Sequence, residues 1–503
     1  MEDLRHQVAS LPLGVGDATD QSADKSAAGM PLVVDLDGTL IRTDLLVETS
    51  FSWMTTSPLG FFHLCAALLQ GKAILKDTVA AQVPIDPRLL PYNERVLALI
   101  EAAKAENRPV YLASSSNERY VSDICKHLKL FDGYFASTRT VNLSARTKAD
   151  KLVQAFGEKG FDYVGNSTDD VPVWKCARHS YAVAPSSSFT RRIGRSGIDI
   201  RVIPSEIGPL RAFLKLLRIH QWVKNLLVFV PIFAAHAFSL EAVMNAGIAF
   251  VAFCLAASGV YVLNDLVDIA ADRRHPSKKR RPLAAGTFPI LLAAPTAAGL
   301  IVSAICVAAA VSTGLALALL SYIALTTAYS FWLKRKMLID VIALTALYCM
   351  RVISGAVAIM VPASEWLIMF SMFLFGSLAM IKRYIELATL ADATLPDPEN
   401  RNYRKTDMDI VACLAAACGL NAVTVFALYV SSTAVQSLYR TPKILWLVCP
   451  ILMYWLARLL LMAHRRLVHD DPIVFALRDR NSHLAAIMIG LIFLAATSLK
   501  LQL

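Results

Sequence analysis

Charged residues are scarce in this sequence. They make up 18% of 503 residues, against 56% hydrophobic, and the mean hydropathy is +0.50. Soluble domains carry about a quarter charged residues, so an ordinary soluble enzyme is excluded. Disorder, which needs low hydrophobicity, is excluded too. Surplus charge is missing from residues 1–205, which hold 23 basic and 23 acidic side chains. The whole excess of +11 falls in residues 206–503, with 27 basic and 16 acidic side chains. Basic excess confined to the apolar part fits the loops of a membrane protein and excludes a nucleic-acid surface. Paired-cysteine motifs are also missing, because the nine cysteines are scattered with no CxxC. They read as small hydrophobes in a reducing compartment. Residues 1–30 are small, polar and acidic and lack the apolar core of a signal peptide. They are expected to form a flexible tail.

Residues 31–185 read as a soluble α/β domain. Apolar strands are expected at Pro31–Val34, Pro109–Ala113 and Phe161–Val164. Helical patterns at Glu118–Leu130 and Ala149–Phe156 alternate with them, which implies a parallel sheet. Phe51–Leu75 is apolar but broken by Pro58, Gly60 and Gly71, so it reads as a helical cap resting on the membrane rather than a span. Residues 186–210 are expected to be a basic linker. Residues 211–503 read as an all-α membrane domain with nine spans, near 224–239, 243–263, 289–310, 313–333, 338–361, 366–382, 409–432, 444–463 and 484–502. Alternate loops carry Arg273–Arg274 with Lys278–Arg281, then Lys334–Lys336, Arg383 with Arg404–Lys405, and Arg465–Arg466 with Arg478. The opposite loops hold only Arg440 and Lys443. This asymmetry predicts a cytosolic N-terminal domain and a non-cytosolic C-terminus.

Asp35-Leu-Asp37-Gly-Thr39 follows the first strand directly. Two carboxylates two residues apart on an extended segment face one crevice. One can attack phosphorus and the other protonate the leaving group, with Mg2+ screening the charge. Ser114 ends the second strand, Lys148 opens a helix, and Gly165-Asn-Ser-Thr-Asp-Asp170 ends the third. In this order they resemble the four motifs of haloacid-dehalogenase-like phosphatases. The resemblance implies Asp35 as nucleophile, Asp37 as acid/base, Ser114 and Lys148 as phosphate holders, and Asp35, Asp37 and Asp170 at Mg2+. Asn166 stands where that family often has Asp, which removes a charge from the metal site.

Asn264-Asp265-Leu-Val-Asp268-Ile-Ala-Ala-Asp272 ends the second expected span. Offsets of 0, 3 and 7 put the three carboxylates on one helical face. Carboxylates at a membrane boundary are costly unless they bind something positive, and Mg2+ bridging to substrate phosphates is the natural candidate. His275-Pro276-Ser-Lys278-Lys-Arg-Arg281-Pro282 adds cations beside them, as a diphosphate leaving group requires. The run from Asn264 to Gly286 resembles the first signature of the UbiA superfamily of intramembrane prenyltransferases. Tyr329–Lys334 with Asp340, Arg351 and Gly355 resembles the second, and Gln221–Asn225, containing Lys224, resembles the segment before the first span.

Asp340 has Ala343 and Leu344 at i+3 and i+4, so a second acidic motif is missing. Lys334, Arg335, Lys336, Arg351, Lys382 and Arg383 lie near membrane boundaries or within spans instead. One acidic site plus surplus cations suits two phosphorylated substrates. The resemblance is strongest to the branch that moves phosphoribose from phosphoribosyl pyrophosphate to decaprenyl phosphate. It implies a multi-pass protein of the cell inner membrane, with Asp265, Asp268 and Asp272 catalytic and metal-binding. The implied substrate-binding groups are Lys224, Asn264, Lys278, Arg281, Lys334, Asp340, Arg351, Lys382 and Arg383. Transfer of a polyprenyl group from its diphosphate to an aromatic acceptor is the alternative. Removal of the 5-phosphate from the product by the fused domain is the expected link between the two parts.

Overall fold

A computed structural model describes residues 29–57, 59–183, 187–194, 198–204, 208–275, 277–392, 402–468 and 471–498. The expected flexible tail, residues 1–30, falls almost wholly outside the described residues. Two compact units emerge: Met1–Leu217 with Val262–Thr296, and Arg218–Tyr261 with Ala297–Leu503.

The first unit is built on a six-stranded parallel sheet. Its strands are β1 (Leu32–Val34), β2 (Val110–Asn117), β3 (Gly133–Ser137), β4 (Asp162–Gly165), β5 (Ser180–Val183) and β6 (Ile200–Ile203), in the order β3-β2-β1-β4-β5-β6. Side chains alternate across β1. Leu32 and Val34 join one core with Leu36, Ile41 and Ile100, while Val33 joins the other with Leu152, Tyr163 and Trp174. Helices therefore cover both faces, the architecture expected of a haloacid-dehalogenase-like domain. The chain leaves β1 toward β2 on one side and β4 on the other, so the crevice at the carboxyl end of β1 is the topological switch point where such sheets bind ligands.

After β1 come three cap helices, α1 (Leu45–Thr56), α2 (Gly60–Leu69) and α3 (Lys72–Gln82). Asp44 caps α1 by accepting from Val47 N. Four further helices follow: α4 (Glu94–Ala105), α5 (Glu118–Leu128), α6 (Ala145–Phe156) and α7 (Val171–Cys176). The expected linker at 186–210 is corrected. It contains a helix, Ser187–Gly194, and the edge strand β6, which pairs with β5. The reason is apolar anchoring within a basic stretch: Phe189 packs on Trp174 and Ile193 is buried.

Among the described residues eight helices are long and apolar enough to cross a membrane, and the protein is a multi-pass membrane protein. They include α8 (Leu240–Val267), followed by the short α9 (Ile269–Arg274), then α10 (Ile290–Val311), α11 (Thr313–Phe331) and α12 (Ile339–Ala358). The rest are α13 (Glu365–Asp392), α14 (Met408–Ser431), α15 (Val448–His464) and α16 (Arg480–Ser498). The first expected span, at 224–239, is a 3-10 stretch at Ile219–Phe229 running into a short helix at Val230–Ala234. At ~2 Å rise per 3-10 residue and ~1.5 Å per α residue, this segment reaches roughly 30 Å, about the hydrocarbon thickness. Helix α13 runs ten residues past the span expected at 366–382, because the charges after it are paired inside the protein rather than released to a loop.

Candidate functional site

In the α/β unit the predicted residues converge at the carboxyl ends of β1, β2 and β4. Lys148 Nζ lies 2.7 Å from Asp35 Oδ1, 3.0 Å from Tyr163 Oη and 3.4 Å from Asp170 Oδ1. Tyr163 Oη donates to Asp170 Oδ1 at 2.7 Å. The other Asp170 oxygen accepts from the Asn166 and Ser167 backbone at 3.0 Å each. Asp37 Oδ1 accepts from Leu45 N at 2.9 Å, so the first turn of α1 orients it. Its Oδ2 accepts from Ser116 at 2.6 Å and Ser114 at 3.3 Å. Gly38 turns the chain with φ +73°, and a Cβ there would lie 2.0 Å from the Asn166 amide. Asn166 is thus pressed against the loop that carries Asp37.

Burial dominates the electrostatics. Desolvation raises Asp35 to about 7 against the pull of Lys148, with Asp170 and Asp37 adding repulsion. Desolvation, with repulsion from Asp44, raises Asp37 to about 6. Burial works against the Lys148 charge, but Asp35 and Asp170 hold it above the ordinary lysine value. Tyr163 and Ser116 escaped the sequence reading. Tyr163 lies inside a strand pattern that reads as core, and Ser116 is the third of three serines, of which only the first ends the expected strand.

The acidic motif of the membrane part lies in the same compact unit. Helix α8 ends at Val267, the chain breaks at Asp268 (φ −93°, ψ 11°), and α9 resumes. Asp265 and Asp272 still converge: Arg281 Nη1 is 3.0 Å from Asp265 Oδ1 and 2.7 Å from Asp272 Oδ2. Both carboxylates are buried, whereas Asn264 and Asp268 are half-buried and Lys278 is exposed. Burial raises Asp272 above the ordinary carboxylate value despite Arg281. Arg273 turns to the α/β domain and grips Glu48 of α1 through two hydrogen bonds of 2.5 and 2.9 Å. Its Nε bonds the Ala284 carbonyl at 2.9 Å. Gly286, at φ +66°, packs so closely on Arg42 that a Cβ would lie 2.5 Å from its carbonyl oxygen. The basic loop is therefore seated on the α/β domain.

The second unit gathers the remaining cations in three places. Lys224 and Lys382 share Asp471 Oδ2 at 2.6 and 3.1 Å. Burial opposes charge on Asp471, yet Lys382 and Lys224 hold its carboxyl well below the ordinary value. Two lysines on one carboxylate leave a net positive centre. Arg351 bonds Asn225, Leu347 O and Tyr322 at 2.9, 2.6 and 2.8 Å, and it lies over the Tyr322 ring. Arg383 and Asp340, both buried, pair at 2.7 Å, with Tyr403 on Asp340 at 2.8 Å and Glu386 on Arg383. Arg351, Asp340 and Arg383, predicted to meet substrate, are engaged with protein groups. Lys334 is half-buried in the turn at Leu333–Arg335. A separate apolar cleft of about 400 Å³ runs along α13, α14 and α15, lined by Ala412, Ala415, Ala416 and Gly419 with Tyr384 and His464.

The donor sets fit Mg2+: they are hard carboxylate oxygens, and at Asp35 and Asp272 burial disfavours the charge that a cation would restore. Among the described residues, no three His, Cys, Asp or Glu side chains form a metal cage by themselves. An ion at either site would draw part of its shell from water or substrate phosphate, as Mg2+ commonly does.

Membrane-length helices, with an acidic motif following the first of them, define an intramembrane enzyme of the polytopic helical class. Residues 226–478 match the UbiA prenyltransferase family, half of the chain, and the chain belongs to that family. The protein y4nM of Sinorhizobium fredii is 35% identical over 470 residues, 93% of this chain and 91% of its own. Decaprenyl-phosphate phosphoribosyltransferase of Mycobacterium tuberculosis is 40% identical over 181 residues, 35% of this chain and 59% of its own length. A UbiA homolog from Archaeoglobus fulgidus, solved bound to GPP and Mg2+, aligns over 57% of this chain and 100% of its own, with TM-score 0.44 and 16% identity.

Proposed function

We propose that the chain transfers phosphoribose from phosphoribosyl pyrophosphate to a polyprenyl phosphate, and that its α/β domain then removes the 5-phosphate from the lipid product. The observation that carries this reading is the split of charge. Asp265 and Asp272 form an acidic centre at Arg281. Lys224 and Lys382 form a net positive centre at Asp471. A prenyl diphosphate donor with an aromatic acceptor calls for a second acidic site, and Asp340 is instead locked on Arg383. The phosphoribosyltransferase name of the 40% identical relative supports the same choice.

In the first step Asp265, Asp268 and Asp272 would hold Mg2+, whose charge would bind the diphosphate group, and Arg281 and Lys278 neutralise that group as it leaves. An oxygen of the lipid phosphate attacks the anomeric carbon as the bond to diphosphate breaks. The products are polyprenyl-phosphoryl-5-phosphoribose and pyrophosphate. The cleft along α13–α15 gives hydrocarbon chain a place to lie. In the second step Asp35 attacks the 5-phosphate, Asp37 protonates the departing ribose oxygen, and Lys148 and Ser114 hold the phosphoryl group. Water then cleaves the aspartyl-phosphate with Asp37 as base. Mg2+ at the two acidic sites would supply positive charge, screening diphosphate at the first and ionising Asp35 at the second. Both reactions are assigned to the cytosolic face of the inner membrane, as the loop charges imply.

The test gives the purified chain, with Mg2+, either labelled phosphoribosyl pyrophosphate plus polyprenyl phosphate or labelled polyprenyl diphosphate plus an aromatic acceptor. Lipid-extractable ribose label is expected from the first pair. Product from the second pair alone would replace this reading with prenyl transfer.

A further inference from the structure

Helix α2 reads Gly-Phe-Phe-His-Leu-Cys-Ala-Ala-Leu-Leu and contains no charged residue. Phe61, Phe62, Cys65, Leu68 and Leu69 recur at i, i+1, i+4, i+7 and i+8, so they form one stripe. In a soluble domain that stripe faces the core. Here it faces out: Phe62 is 66% and Leu69 90% exposed, and the buried residues Gly60 and Ala67 lie on the opposite side. Leu59, just before the helix, is 58% exposed as well. Stacking of Trp53 on His63, with ring centroids 5.8 Å apart, fixes α2 against α1.

Three observations identify what covers this stripe. The described residues include eight membrane-length helices, so a bilayer is within reach of the chain. Ten α-helical residues reach only ~15 Å, half a hydrocarbon core, which suits a helix lying in the interface and not a span. From Thr49 to Lys76 the sequence has no acid but carries Lys72 and Lys76, and Lys72 is exposed. The exposed Lys72 beside an acid-free apolar stripe complements anionic headgroups.

The base of the cap is tied to the phosphatase-like site. Leu45 N at the start of α1 holds Asp37. Lys76 Nζ, on α3, bonds Ser115 O at 2.6 Å and Asn142 Oδ1 at 2.8 Å, beside the serines that also hold Asp37. We propose that α2 is a membrane-inserted tip that holds the α/β domain on anionic lipid and selects bilayer-borne phosphate monoesters for its site. Insertion stands by itself, and the selection of substrate rests on the phosphatase reading above.

The test uses the full chain in nanodiscs containing phosphatidylglycerol, in a cysteine-free background. A fluorophore at Leu69→Cys is expected to be quenched severalfold more by nitroxide-labelled acyl chains than one at Asp132→Cys. Equal quenching, or cross-linking of Leu69→Cys between copies, overturns insertion. Phe61→Ser with Phe62→Ser and Leu69→Ser is expected to slow release of phosphate from the lipid product at least about tenfold by lost effective concentration. Hydrolysis of p-nitrophenyl phosphate and phosphoribosyl transfer should stay unchanged. Unslowed lipid hydrolysis overturns the selection. If the parent chain hydrolyses neither phosphate, the phosphatase reading and the selection fail together while quenching still decides insertion.

Discussion

At the scale of residues, Asp35 is the most exacting part of the α/β site. Burial holds its carboxyl at about 7, whereas the unfolded chain releases that proton at the ordinary value of 3.8. Between those values the metal-free native state binds more protons than the unfolded state, so stability falls as pH rises through this window and levels off above it. Thermal unfolding in a chelator should therefore show a lower midpoint for the α/β domain at pH 7.5 than at pH 5. Asp35→Asn should flatten that slope, and an unchanged slope would show that Asp35 is not the group responsible. Residues that bring chemistry with their own motif were legible in sequence: Asp35, Asp37, Lys148 and the Asp265–Asp272 run. Their partners were not. Tyr163 bridges Lys148 and Asp170 from a strand interior. Arg351 and Arg383 looked like substrate cations because a charge in a span demands a partner, and sequence does not say whether that partner is substrate or protein. In the structure Arg351 bonds Asn225 and Tyr322, and Arg383 pairs with Asp340.

At the scale of elements, α1 links the two acidic motifs. Its first turn orients Asp37 and its Glu48 grips Arg273, the residue after Asp272. Breaking a buried pair by removing one partner typically costs about 3–5 kcal/mol. Glu48→Ala and Arg273→Ala should each lower the thermal midpoint, and the double substitution should cost less than their sum. Additive costs would show that the two side chains do not interact in solution. No sequence pattern announces this contact, since the two residues are 225 positions apart. Apolar runs were the most legible elements, because length and hydropathy alone identify α8 and α10–α16. The short segment at 219–234 was readable as apolar but not as 3-10. The strand β6 was hidden because Arg191, Arg192 and Arg195 before it and Arg201 within it made the stretch read as a linker.

At the scale of the whole molecule, scarcity of charge was the first clue, and the placement of the few charges carries the functional reading. The described part of the neutral first 205 residues folds as an α/β domain with a buried acid–lysine centre. The basic remainder supplies membrane-length helices, an acidic motif at a helix end, and a lysine pair on Asp471. The central claim is that one chain performs two successive steps on one lipid. The direct measurement incubates the full chain in nanodiscs with Mg2+, polyprenyl phosphate and phosphoribosyl pyrophosphate, and follows the lipid by mass spectrometry. The expected course is gain of a phosphoribosyl group followed by loss of one phosphate, with Asp35→Asn halting after the gain. A lipid that never gains the phosphoribosyl group, or one that loses its 5-phosphate equally fast in Asp35→Asn, would contradict the claim.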